Sequence, residues 1–382
     1  MTFYYNYKDL LKSPRLALGP QRIFLSTLSV ALAHIVYFTG SHAALLWDGR
    51  DFMSTWRMYG LLPWPVMEGL STGPHILAVS TLVISALIIL LGNTTLARSA
   101  YMTLRRNYFY TSRQAVEFVR SKATSVVGVY LTYFFLIAPF ILGALGMAVI
   151  GTVYGIGDII NALGTLVYIF AGLILLFLTL SMIISFFLAP AIIAAREEDG
   201  FGTAVECMRL LWGEPWRLIT YGILTVVLAL IFTIAFAFAI KVGLIIYSIL
   251  FLPLMHSLAP LLDTALAWLQ QSMGGLDALL RSLLGEKGAR LLYLKKHYEP
   301  IALPLSRQIA ATIIYFFLMI TGYMTVGYAL SLINSALVTS IVIFDSHLNQ
   351  SDLLNRADSQ IDSGEFEFNP RENTKNLSDK TT

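Results

Sequence analysis

Six long apolar stretches of this chain carry no formally charged side chain: 23–47, 75–96, 123–150, a run ending near Ala189, 218–240 and 309–344. About 20 apolar residues in a helix cross the roughly 30 Å hydrocarbon core of a bilayer. Lipid offers no partner to an exposed backbone N–H or C=O, so the helix is the form such runs must take. Of 382 residues, 57% are hydrophobic and only 13% charged, where a water-soluble domain carries about 25% charged. The expected fold is all-α: a polytopic transmembrane helix bundle of about six spans, with short amphipathic interfacial helices and a disordered C-terminal tail.

Charge sets the expected orientation. Residues 1–22 hold Lys8, Lys12, Arg15 and Arg22 against Asp9 alone, which keeps this N-terminal segment in the cytoplasm. A signal peptide cleaved after Ala43 is the competing reading, but it would exceed the usual length of about 15–30 residues. Loop 48–74, with Trp56 and Trp64, reads as an external loop hugging the interface. Segment 97–122 then sets Arg98, Arg105, Arg106, Arg113, Arg120 and Lys122 against Glu117 alone, the strongest positive-inside signal in the chain. Residues 151–164 read as a short outer turn.

The transmembrane domain is expected over 23–344, in the inner membrane. After Lys241 the topology forks: 242–258 either forms a further span or does not, which decides the side of the insert 259–307. Leu276, Leu279, Leu280, Leu283 and Leu284 mark an amphipathic helix inside that insert. The run 309–344 would be about 54 Å long as one helix, so it either breaks near Gly327 or projects from the bilayer. Residues 345–382 have the acid-rich, polar composition of a disordered tail. With both termini cytoplasmic, the number of spans is even.

The most informative polar stretch is the elbow 190–217. Thr203 and Glu206 form a T-x-x-E capping box that predicts a helix starting near Ala204; Gly213 and Pro215 end it, the glycine as a left-handed cap. Phe201, Val205, Met208 and Trp212 share one face, and Glu206 and Arg209 pair on another, as a helix at a membrane surface requires. Thr111 and Gln114 make a second capping box. The hexapeptides AVEFVR at 115–120 and AVECMR at 204–209 agree in four of six positions; a duplicated span-elbow-span unit and coincidence between two amphipathic helices both account for this.

Chemistry is sparse. A net charge of +3 from 26 basic and 23 acidic residues gives no reason to expect nucleic acid. A single cysteine, Cys207, excludes an internal disulfide and a cysteine-cluster metal site. Charged side chains fall in connecting segments, span junctions or tails, which argues against charge-coupled transport. His34, in the middle of the first run, is read as a hydrogen-bonding residue between helices rather than a proton relay. Residues 155–158 spell GxGD, but an aspartyl protease needs a second carboxylate at depth. Glu197, Glu198 and Asp199 suit a solvated turn or a cation site. No catalytic, metal or cofactor residue is expected.

Pro190, Glu198, Gly200, Ala204, Gly213, Trp216 and Arg217, in a span-elbow-span context, resemble a bacterial membrane domain found in the membrane regions of some glycerophosphoryl diester phosphodiesterases and in related six-helix proteins. The resemblance covers roughly 120–240 and implies a membrane module without a catalytic barrel. Three classes of function stay open: a non-catalytic scaffold or regulator of the cell envelope, a permease component docking a cytoplasmic partner through 190–217, and a lipid-handling enzyme. The expected partners are membrane lipids and a membrane or cytoplasmic protein.

Overall fold

The computed structural model describes residues 3–63, 69–153, 155–251, 253, 255, 258–272, 301, 303–348 and 353–356. Trp64, the expected helix over 276–284 and the tail past 356 lie outside the described residues. The chain forms α1 (Tyr7–Leu10), α2 (Ser13–Ala17), α3 (Pro20–Trp47), α4 (Phe52–Tyr59), α5 (Thr72–Leu104), α6 (Ser112–Gly151), α7 (Ile156–Arg196), α8 (Gly200–Gly213), α9 (Pro215–Phe251), α10 (Leu258–Ser272) and α11 (Leu305–Leu348). Six of them, α3, α5, α6, α7, α9 and α11, are long and apolar enough to cross a membrane.

Among the described residues no separate span begins directly after Lys241. Lys241 lies inside the unbroken α9, which ends at Phe251, so 242–258 is not a span of its own. Residues 3–5 and 353–354 meet at one end of the bundle, which also holds α8: the Tyr101 hydroxyl donates to the Leu353 carbonyl at 2.6 Å, and Phe3 and Tyr5 pack in the same cluster as Leu353. This is called the elbow end below. The turn expected over 151–164 is shorter: α6 runs to Gly151 and α7 begins at Ile156, so Asp158 sits in a first helical turn, where it accepts from the Gly155 N–H.

α11 does not break at Gly327. It is one 44-residue helix, and the stretch 334–345 is buried throughout. A side chain at Gly327 would fall 2.8 Å from the Ser26 hydroxyl, so this glycine lets α3 and α11 approach. The extra length of α11 forms the core of the elbow end, where Val338, Ile341 and Phe344 meet Ala97 and Tyr101 of α5, Leu188 and Ile192 of α7, and Cys207 and Leu210 of α8. Each large side chain so buried contributes about 1.5–3 kcal/mol. On α6 past Tyr133 and on α7 before Leu178 the pattern reverses. Apart from Gly157, no described residue there is buried, and Phe135, Leu142, Leu163 and Phe170 are exposed, as lipid-facing surface requires.

Within loop 48–74, residues 60–63 fold back along α3. Gly60, at φ 58°, turns the chain after α4, and the segment behind it is held along α3. His34 Nε2 meets the Leu61 carbonyl at 2.9 Å, His42 Nε2 meets the Gly60 carbonyl at 3.2 Å, and the Tyr37 hydroxyl donates to the Pro63 carbonyl. A carbonyl only accepts, so Nε2 carries the proton in both rings. His34 then accepts at Nδ1 from the Tyr323 hydroxyl and ties α3, α11 and the loop together. His34 lies thirteen residues before Trp47, about 20 Å along the helix. Non-helical backbone therefore reaches the middle of α3, where Gly60, Leu61 and Pro63 are buried, the condition under which such backbone is tolerated at membrane depth.

Candidate functional site at the elbow

α7 ends where Glu197 adopts a left-handed conformation, φ 60°, with its N–H donating to the Ile193 carbonyl at 3.0 Å. Asp199 then turns extended and caps the next helix, its side chain accepting from the Gly202 N–H at 2.8 Å. This corrects two expectations. α8 starts at Gly200 rather than near Ala204, and Asp199 takes the capping role assigned to Thr203. The buried Thr203 hydroxyl instead donates to the Asp199 carbonyl at 2.7 Å. Asp199 prevails because an ionised carboxylate is a better cap than a threonine hydroxyl at the positive end of a helix, and the earlier start adds one more turn. At the other end Gly213 is the last helical residue, followed by Glu214 at φ −134°, so it is no left-handed cap. The box of Thr111 and Gln114 forms as expected, with N–H contacts of 3.4 and 2.6 Å, but α6 continues from it into the span as one helix.

Released from capping, Glu206 serves an ion-pair cluster. It accepts from Arg209 Nε at 2.8 Å and Nη2 at 2.6 Å, and pairs with Arg196 Nη1 at 3.1 Å. Arg196, almost wholly buried, also reaches Glu198 at 3.3 Å and pairs with Asp345 of α11. Asp345 therefore belongs to the helix and to the cluster, and the expected disordered tail does not begin there. Beside it lies Arg98, with no exposed surface. Its Nη1 donates to the Ala194 carbonyl at 2.9 Å, its Nη2 meets Glu197 at 3.1 Å, and its guanidinium lies 4.0 Å from the Phe118 ring centre, a cation–π arrangement. Lys122 of α6 donates to the Glu197 carbonyl. The acidic triplet is thus a junction: Glu197 and Glu198 pair with arginines, and Asp199 caps a helix.

α8 divides its sides sharply. Gly200, Ala204, Cys207 and Leu210 are buried, whereas Phe201, Val205 and Trp212 are exposed. A side chain at Gly200 would come within 2.5 Å of the Gly128 backbone, so α6 and α8 touch almost backbone to backbone. Trp216 is exposed, and Arg217 meets Glu214 at 2.8 Å. Burial, with the charges of Glu206 and Glu198, pushes the Cys207 thiol up and keeps it protonated and inert. The hydrogen bond to Glu206 holds the Arg209 guanidinium above its ordinary value.

His34 stands apart from the elbow, in the α3–loop junction. His42 is the residue that sequence reasoning missed. It is buried among Phe38, Phe52 and Trp56, and its Nδ1 has no hydrogen-bond partner among the described residues. The signal was a second histidine in the first run, read only as part of a cleavage-site pattern. No protein family, curated protein or solved structure matches this chain.

Proposed function

We propose that the protein is a non-catalytic scaffold or regulator of a bacterial inner membrane, with the elbow end in the cytoplasm and α8 as its docking helix. The observation carrying this reading is that the buried charges of the elbow are directed at one another. Arg196 joins α7 to α8 and α11, and Arg98 joins α5 to the end of α7. Such a network fixes geometry, while Phe201, Val205 and Trp212 face outward on a helix that cannot move freely. The resemblance of the elbow to the membrane regions of some phosphodiesterases supports a membrane module. Pull-down from native membranes with mass spectrometry tests the reading. A stoichiometric membrane protein retained by the wild type and lost from Phe201→Ser/Trp212→Ser supports it, and lipid turnover by the purified chain overturns it. Reporters fused near Lys296 and after Thr382 should read outside and inside respectively.

A permease component is the second reading, favoured by the backbone held at 60–63 beside the middle of α3, because irregular backbone at depth marks substrate paths in transporters. Co-purification of an ATPase selects it.

A further inference from the structure

Along α6, one face changes character in steps of two helical turns. Arg113 and Arg120 come first, Val127 and Phe134 follow seven residues apart, and Glu117, Thr124 and Leu131 lie between them. All seven are exposed. Glu117, the acidic member, accepts from Arg113 Nε at 2.8 Å. Arg120 makes no hydrogen bond or ion pair among the described residues. Residues spaced by seven stay on one side of a helix, so the two guanidiniums stand directly below an apolar stripe.

The dimensions of the stripe fit one kind of molecule. From Arg120 to Phe134 the helix rises about 21 Å. Half of a bilayer, from headgroup to midplane, measures about 20–22 Å. A cation at one end, a hydroxyl at Thr124 and apolar surface above repeat the order of phosphate, ester and acyl chain. A protein partner would have no reason to follow that gradient. We propose that this face of α6 binds an anionic phospholipid of the adjoining leaflet, its headgroup phosphate against Arg120 and Arg113 and its acyl chain along Val127, Leu131 and Phe134. Arginine suits the role because its planar fork donates two parallel hydrogen bonds to a phosphate. Glu117 weakens the site by drawing off Arg113.

The test is native mass spectrometry of the purified full chain in mild detergent, titrated with phosphatidylglycerol, phosphatidylcholine or inorganic phosphate. Phosphatidylglycerol should bind and phosphatidylcholine bind far more weakly. Each basic residue near an anionic surface is worth about fivefold, so Arg120→Gln should weaken binding about fivefold and Arg113→Gln/Arg120→Gln about 25-fold. Glu117→Gln should tighten binding about fivefold, a gain that misfolding does not produce. The double lysine variant should retain most of the affinity, and Arg57→Gln on α4 should change nothing. Equal binding of the two lipids, wild-type affinity in the double glutamine variant, no gain from Glu117→Gln, or displacement of the lipid by equimolar inorganic phosphate would each overturn the proposal.

Discussion

Replacing Arg196 by methionine should loosen the elbow end by about 3 kcal/mol. The Arg196 side chain is 8% exposed and Asp345 is 2% exposed, so the substitution takes a guanidinium from a carboxylate that water does not reach. Breaking a buried pair from one side costs about 3–5 kcal/mol. The lower figure applies because Glu206 keeps Arg209 at 2.6 Å and Glu198 is more exposed. With an unfolding entropy of about 2.1 cal/mol/K per residue, a chain of 382 residues should lose about 4 °C in the midpoint of thermal unfolding. The assay is built into the chain: Cys207 is the sole cysteine and is fully buried, so a thiol-reactive dye reports opening of this core directly. Arg196→Met/Asp345→Leu removes both charges and should recover stability to within about 1 kcal/mol of the wild type, since apolar replacements of buried pairs are often neutral. A single variant that melts within about 1 °C of the wild type, or a double variant no better than the single, refutes the reasoning.

Gly200→Ala should destabilise by about 1–3 kcal/mol through overpacking against the Gly128 backbone, whereas Gly213→Ala, whose nearest neighbour is Leu348 Cδ2 at 3.8 Å, should be nearly neutral in the same dye assay. In a Cys207→Ser background, Leu61→Cys should resist water-soluble thiol reagents, and adding His34→Ala should make it reactive; a Leu61→Cys that reacts at once places the segment at the surface. Asp48 accepts from the Ser71 backbone and hydroxyl at 3.1 and 2.9 Å, and these bonds, the backbone one first, hold its pKa below the ordinary 3.8. A depressed folded pKa means that the contribution is complete above the ordinary value and lost as pH falls through the lower one. Amide exchange at Ser71 should therefore be unchanged from neutral pH down to about 5, corrected for intrinsic rates, and lose protection in strong acid; Asp48→Asn should remove that acid step.

What could be read in the residues followed the range of the forces. A membrane-spanning helix satisfies its backbone within itself, so apolar runs free of charge were enough to give six rods, and the Thr111–Gln114 box needed only residues three apart. The pairing of Glu206 with Arg209 was equally local. Legibility failed where partners are distant. Asp345 read as the start of a tail because Arg196, which buries it, lies 149 positions away. Arg98 read as one of several basic residues outside a span, although its place is set by Ala194, Glu197 and Phe118.

The amino-acid order by itself determined an apolar helical chain with a polar elbow, because lipid forces each backbone group to find a partner a few residues away. Tertiary structure alone decided that Asp199 rather than Thr203 caps α8, that the end of α11 is core, and that 60–63 folds back to His34. Those outcomes depend on which helices touch, and a competition between nearby caps or a carbonyl held by a side chain on another helix leaves no periodic trace in the sequence.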